Sequence, residues 1–302
     1  NKLVLYWGQN SFGATHGNDQ SQWENRLTHY CESGLIDTVV LSFMHVFGLS
    51  PDTQMDYANH CPPTKLLAGS KLLDCPELRD DIQRCQTLGV KVQLGLGGAA
   101  GSYGFNSDEQ AVAFAKQLWD TMFGGQGAVR PFGDVVLDGV NLDIEGGNPN
   151  NYAAFVDHFR KLHREAEQAS TKGHATGAVA TRPVRPLIVT AAPQCPYPDA
   201  YMHDVLVKAA IDAVYVQFYN NYCGAQAFGT QNFNFDVWDE WSRKVAKVSG
   251  AKVFLGVPAS PSAANIGYVS PARLEEMVAS IQAKYASFGG VMMWDTSQAF
   301  AN

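Results

Sequence analysis

The sequence predicts an α/β fold, a single (β/α)8 TIM barrel filling one domain over residues 1–302, and three observations carry that expectation. Eight short apolar runs rich in β-branched and aromatic residues recur along the chain, separated by amphipathic stretches of helical period. Strands alternating with helices imply a parallel sheet, and eight of them imply closure into a barrel. A chain of 302 residues, 46% hydrophobic and 17% charged, is long enough to fill that core. An open doubly wound sheet is the rival, but neither GxGxxG nor GxxxxGK follows the first run.

In chain order, "LVLYW" (Leu3–Trp7) is the first expected strand and "TVVLSFM" (Thr38–Met44) the second. A long loop, Gly48–Asp74, carries Cys61 and leads to Cys75. "KVQLGL" (Lys91–Leu96) is the third strand, followed by the amphipathic "DEQAVAFAKQLWDTMF". "GVNLDIE" (Gly139–Glu145) is the fourth strand. The polar stretch Gln168–Pro186 is expected to be a mobile loop. "PLIVTAAP" (Pro186–Pro193), "AVYVQFYN" (Ala213–Asn220) and "KVFLGVPA" (Lys252–Ala259) are the fifth to seventh strands. In "SPARLEEMVASIQAKYA", Ser270 is the expected N-cap and Pro271 the first helical residue. "GGVMMWD" (Gly289–Asp295) is the eighth strand, and the seven residues after it predict an eighth helix that is short or missing.

Composition narrows the function. Net charge is −7 and the basic residues are scattered, so no nucleic-acid partner is expected. The densest cluster, Arg160–Arg164, reads as the solvated face of a helix. No apolar run approaches a membrane span. The six cysteines form no CxxC and no zinc-finger spacing with histidine, so no metal or other cofactor is expected. Six buried thiols of a cytosolic enzyme are the plainer alternative. The even count and the Pro-flanked settings "NHCPP", "LDCPE" and "PQCPYP" favour disulfides and an oxidising compartment. His45 is expected to be a satisfied polar residue at a cleft edge; His158 and His163, five apart, do not share a metal-binding face, and the other histidines read as surface.

The stretch "LDGVNLDIEGG" holds the chemistry. Same-face positions on a strand alternate, so Asn141, Asp143 and Glu145 point into the barrel, and Asp138 takes the opposite parity as a structural residue. Catalytic groups of such barrels sit at strand C-termini. A buried unpaired carboxylate is costly, and the other strands offer almost no Lys or Arg inside as partners, so two on one strand end point to function. Same-face neighbours lie about 6.6 Å apart along the strand and approach a substrate from one side. A two-carboxylate glycosidase needs its pair on opposite sides of the scissile bond. This pair therefore suits an acid and a helper, with the nucleophile supplied by the substrate.

Here the chain resembles a known family. "DGVNLDIE" is similar to the DxxDxDxE signature of glycoside hydrolase family 18, and several stretches resemble its class III chitinases of plants and fungi. These are "YWGQN" (Tyr6–Asn10), "LGLGG" (Leu94–Gly98, with Gly95 where Ser is usual), "TAAPQCPYPD" (Thr190–Asp199), "QFYNN" (Gln217–Asn221) and "GGVMMWD". The resemblance implies that Glu145 is the general acid and base, and that Asp143 holds the acetamido N–H of an oxazolinium-type intermediate. It implies that Tyr219 contacts the acetamido oxygen and that Trp294 floors the subsite of the distorted sugar. Tyr6, Phe43, Gln217 and Met292 are candidate cleft-lining residues, with plain barrel core as the even alternative. The resemblance also implies the pairs Cys31–Cys85, Cys61–Cys75 and Cys195–Cys223.

Position 141 departs from the family, which usually has Asp there. Asn141 cannot ionise, but it can donate a hydrogen bond to Asp143. The expected function is a retaining endo-chitinase acting on β-1,4-linked N-acetylglucosamine polymers, slower or altered in pH profile because of Asn141. A non-catalytic chitin-binding or inhibitory protein on the same scaffold is the alternative, and an endo-N-acetylglucosaminidase a weaker third. Chitin or chito-oligosaccharides are the expected partners of a secreted, extracellular or cell-wall monomer.

Overall fold

The computed structural model describes residues 1–176 and 182–301. Eight parallel strands build the barrel: β1 (Lys2–Trp7), β2 (Thr38–Phe47), β3 (Lys91–Gly98), β4 (Gly139–Ile144), β5 (Ile188–Ala191), β6 (Ala213–Gln217), β7 (Lys252–Pro258) and β8 (Phe288–Trp294). Each strand pairs with its sequence neighbours, and β1 pairs with both β2 and β8, which closes the sheet. The helices outside are α1 (Leu27–Cys31), α2 (Pro76–Thr87), α3 (Asp108–Met122), α4 (Tyr152–Thr176), α5 (His203–Lys208), α6 (Phe235–Lys244), α7 (Pro271–Lys284) and α8 (Thr296–Ala301). Local chemistry sets several of their starts. Ser107 and Ser270 cap α3 and α7 by accepting from Gln110 N and Arg273 N, and Pro76 and Pro271 begin α2 and α7.

Two cores result. A large outer one lies between the sheet and the helices. A smaller one fills the barrel with Val4, Tyr6, Val40, Phe43, Tyr215, Phe254 and Met292. The polar residues on the inner face, Gln93, Asn141, Asp143, Thr190 and Gln217, are buried and hydrogen-bonded to one another.

The structure corrects several expected boundaries. β5 covers only Ile188–Ala191, because the prolines that flank the apolar run lack an N–H for the ladder. β6 ends at Gln217 and β4 at Ile144, so Tyr219 and Glu145 lie just beyond their strands. Helix α4 runs to Thr176, so the first part of the expected loop Gln168–Pro186 is helical, and residues 177–181 of it lie outside the described residues. Two two-residue strands, Gln54–Met55 and Ser102–Tyr103, add to β2 at the carboxyl end of the barrel. The eighth helix is present and short.

Asp138 sits at the start of β4 with no exposure. It accepts from Arg185 at 2.7 and 2.9 Å, Gln86 Nε2 and Val92 N–H, the structural role its parity implied. All three disulfides, Cys31–Cys85, Cys61–Cys75 and Cys195–Cys223, are formed.

Candidate active site

Strand β4 carries the site because its register leaves room. Gly95 and Gly97 of β3 lie opposite Asn141 and Asp143. The family usually has Ser at the first of these. Here a Cβ on Gly95 would meet the Phe43 ring at 2.9 Å and Leu41 O at 3.0 Å, so Phe43 has taken the space that a serine would need. Asn141 and Asp143 are buried, and Glu145 is partly exposed.

Gln217, across the barrel on β6, ties the carboxylates together. Its Nε2 lies 3.0 Å from Asp143 Oδ1, 3.4 Å from Glu145 Oε1 and 3.0 Å from Ala192 O. Burial, then the charge of Glu145, raises the Asp143 carboxyl well above the usual range, against the opposing Gln217 bond. Burial also raises Glu145, and the nearby Asp199 adds to it. Neighbouring carboxyl groups that each hold a proton more tightly than usual ionise in two coupled steps, so the pair shares one proton over a window of pH. Asp199 is itself fully engaged in its loop, accepting from the N–H groups of Gln194, Tyr201 and Met202.

Asn141 belongs to a different chain of hydrogen bonds. Tyr6 donates its hydroxyl proton to Asn141 Oδ1 at 2.7 Å, and Asn141 Nδ2 donates to Thr190 Oγ1 at 2.9 Å. Thr190 passes its own proton to Gln93 Oε1, which also accepts from Tyr215. Both ends of the amide thereby have partners other than Asp143. This corrects the expected Asn141–Asp143 hydrogen bond: Gln217, not Asn141, holds Asp143. The tyrosine donor fixes which way the amide points, and a neutral amide suits this position because it both accepts from Tyr6 and donates to Thr190.

The aromatic floor surrounds this pair. Trp294, partly exposed at the end of β8, stacks on Phe43 at 5.9 Å and meets Tyr6 at 5.7 Å. Tyr6, at 2% exposure, and Met292, at 0%, lie in the barrel interior beneath it, Tyr6 with its hydroxyl committed to Asn141. Tyr219 follows β6 and is wedged by Gly267, where a Cβ would approach Tyr219 Cβ to 2.6 Å and where φ is +114°. Burial and the charges of Asp143 and Glu145 hold the Tyr219 phenol well above its ordinary value, so it stays a hydrogen-bond donor.

Two histidine expectations fail. His45 Nδ1 is buried without a hydrogen-bond partner among the described residues, so His45 is not satisfied. His60 is no surface residue: it stacks on Trp7 at 4.1 Å with Nε2 2.9 Å from Glu24, and burial pushes its imidazole down to about 4. Sequence reading missed Tyr103, Gln9, Glu24 and Asp295. Tyr103 and Gln9 sit on short connections around the site, where they bond the backbone of neighbouring strands. Glu24 is raised by burial and by Asp295, and orders the end of β1 by accepting from Gly8 and Asn10. Tyr103, Gln9 and Glu24 lie outside the apolar runs, and Asp295 closes the last of them, where it reads only as a strand end. Among the described residues no group of three metal-ligating side chains occurs, and no helix is long and apolar enough to cross a membrane.

A closed parallel barrel with an acidic pair at the end of its fourth strand defines a (β/α)8 barrel of the glycosidase type. The chain belongs to the glycosyl hydrolases family 18, whose profile matches residues 2–267. It is 43% identical over 300 residues to chitinase 2 of Rhizopus oligosporus, covering 99% of this chain and 50% of that protein. The chain thus spans about half the length of the curated relatives it matches. Among solved structures, a chitinase from Ipomoea carnea superposes with a TM-score of 0.77 at 29% identity, covering 99% of this chain and 96% of the other. A xylanase and alpha-amylase inhibitor protein from Scadoxus multiflorus superposes with a TM-score of 0.76 at 31% identity, covering 99% and 94%.

Proposed function

We propose that residues 1–302 form one catalytic domain, a retaining endo-chitinase that cleaves β-1,4-linked N-acetylglucosamine chains by substrate-assisted catalysis. The observation that carries this reading is the Asp143–Glu145 pair, joined by Gln217 on one side of the cleft, with the adjacent Asp199 already occupied by three backbone donors. With that carboxylate committed, the attacking group comes from the sugar's own acetamido carbonyl.

The steps follow from the pair's shared proton. Substrate binding places the proton on Glu145, whose raised affinity suits a general acid. Glu145 protonates the glycosidic oxygen as the acetamido oxygen bonds to C1 and the C1–O bond breaks. Asp143, now ionised, accepts the acetamido N–H and offsets the positive charge of the oxazolinium ring. The Tyr219 hydroxyl donates to the acetamido oxygen, and Trp294 stacks beneath the ring. Water then attacks C1 as its bond to the acetamido oxygen breaks and the acetamido group is restored, Glu145 takes the water's proton, and two inversions leave the configuration at C1 retained. No cofactor enters any step. The domain acts as a secreted, extracellular or cell-wall monomer.

The likeness to an inhibitor protein on the same scaffold favours one second reading, a chitin binder without turnover. Incubation with chitohexaose separates the two. The enzyme reading expects release of shorter oligosaccharides, slowed by about 10²–10⁴-fold in Glu145→Gln while binding persists. Binding by the unaltered protein with no product would contradict it and establish the binder.

A further inference from the structure

We infer that Tyr103 is a positioning residue for the general acid, its hydroxyl splicing the end of β3 to the backbone of Glu145. The inference rests on the role proposed above for Glu145.

Tyr103 lies in the short strand Ser102–Tyr103, which pairs with β2 beyond the barrel proper. Its ring is 6% exposed and stacks on Phe47 at 5.4 Å, so the phenol has a fixed seat independent of β4. The hydroxyl donates to Gly98 O at 2.5 Å and accepts from Glu145 N–H at 3.3 Å. Gly98 is the last residue of β3, and Glu145 is the first residue past β4. The paired register of these strands ends at Gly98–Ile144, and β3 leaves the sheet through Gly97 and Gly98 at φ +110° and +91°. One phenol oxygen thus bridges two backbone groups where the ladder stops. Burial, with further contributions from the carboxylates of Asp143 and Glu145, pushes the phenol up to about 12, so it remains protonated and able to donate across the working pH range.

The consequence is mechanical. Glu145 has no strand ladder of its own, yet its carboxyl must meet the glycosidic oxygen within hydrogen-bond reach. Misplacement of a catalytic group by about 1 Å costs about 10²-fold. Removing only the hydroxyl leaves Gly98 C=O and Glu145 N–H without this shared partner, while the ring contact with Phe47 persists.

The test is Tyr103→Phe, read by two measurements on the full chain. The first is native-state hydrogen exchange at the Glu145 amide, expected to quicken about tenfold or more while amides in mid-β4 keep their rates. The second is the pH–rate profile on chitohexaose, with kcat expected to fall about tenfold and KM to stay within about twofold. A purely structural role would instead lower the melting temperature and the rate together, without singling out that amide. Unchanged Glu145 exchange, or faster exchange with unchanged kcat, would overturn the inference and leave the proposed reaction standing. An unaltered protein that hydrolyses nothing would overturn the reaction itself, and with it the role of Tyr103 in it.

Discussion

At the scale of single residues, Asp143 decides most. Its folded-state proton affinity is raised by burial and by Glu145. The unfolded value is about 3.9. Between the two, the folded state binds the extra proton, so stability is full below about 4 and is lost as pH rises through the folded value. Asp143→Asn cannot ionise. It is expected to melt about 2–4 °C higher at pH 8, with the gain vanishing near pH 4, while hydrolysis falls at least about 10²-fold. A lower melting temperature at pH 8 would show that Gln217 fully compensates the buried charge. Asn141→Asp puts an ionisable group between Tyr6 and Thr190, beside Asp143. It is expected to move the pH–rate profile by about one unit, and superimposable profiles would remove Asn141 from the account. Much of this row was legible in the sequence, because strand parity alone places Asn141, Asp143 and Glu145 on one face. Gln217 as the clamp was not legible as such. Its contact with Asp143 spans 74 residues and depends on how strands face each other across the barrel.

At the scale of elements, the alternating pattern located all eight strands, and the misses have physical causes. Two-residue strands carry no alternation to read, so Ser102–Tyr103 and its tyrosine were invisible. Helix α4 was cut short in the reading because Ser, Thr and Gly near its end resemble a loop, whereas packing against α3 holds its earlier turns. The Cys195–Cys223 bridge joins the segments after β5 and β6 and so backs the Tyr219 loop. Closing a separation of 28 residues stabilises by about 3–4 kcal/mol on the chain-entropy account. Replacing both cysteines by serine is therefore expected to lower thermal stability and, by loosening the Tyr219 loop, to raise KM. Unchanged KM in the folded variant would separate the bridge from the site. At the opposite barrel end, Arg185→Ala strips the main partner from buried Asp138 and is expected to cost about 3–5 kcal/mol with little effect on kcat, measurable by denaturant unfolding.

At the scale of the whole molecule, buried carboxyl groups gather at the carboxyl end of the barrel. Glu24, Asp143, Glu145, Asp199 and Asp295 all bind protons more tightly than free carboxylates, burial being the leading cause in each. His60 is shifted the other way, and stability from it is lost as pH falls from about 6.5 toward 4. The five carboxyl groups outweigh one imidazole, so the melting temperature is expected to be higher near pH 5 than near pH 8. A rise toward pH 8 would contradict that balance. Barrel closure was legible from the count of strands, and the row of acidic side chains from one of them; what the pattern could not carry was the set of contacts between distant strand ends. The most direct test of the central claim is the anomeric form of the first product, followed by proton NMR during hydrolysis of chitohexaose. Catalysis through the substrate's acetamido group and the Asp143–Glu145 pair predicts the β-anomer first, mutarotating later; the α-anomer first would mean direct attack by water and contradict the account.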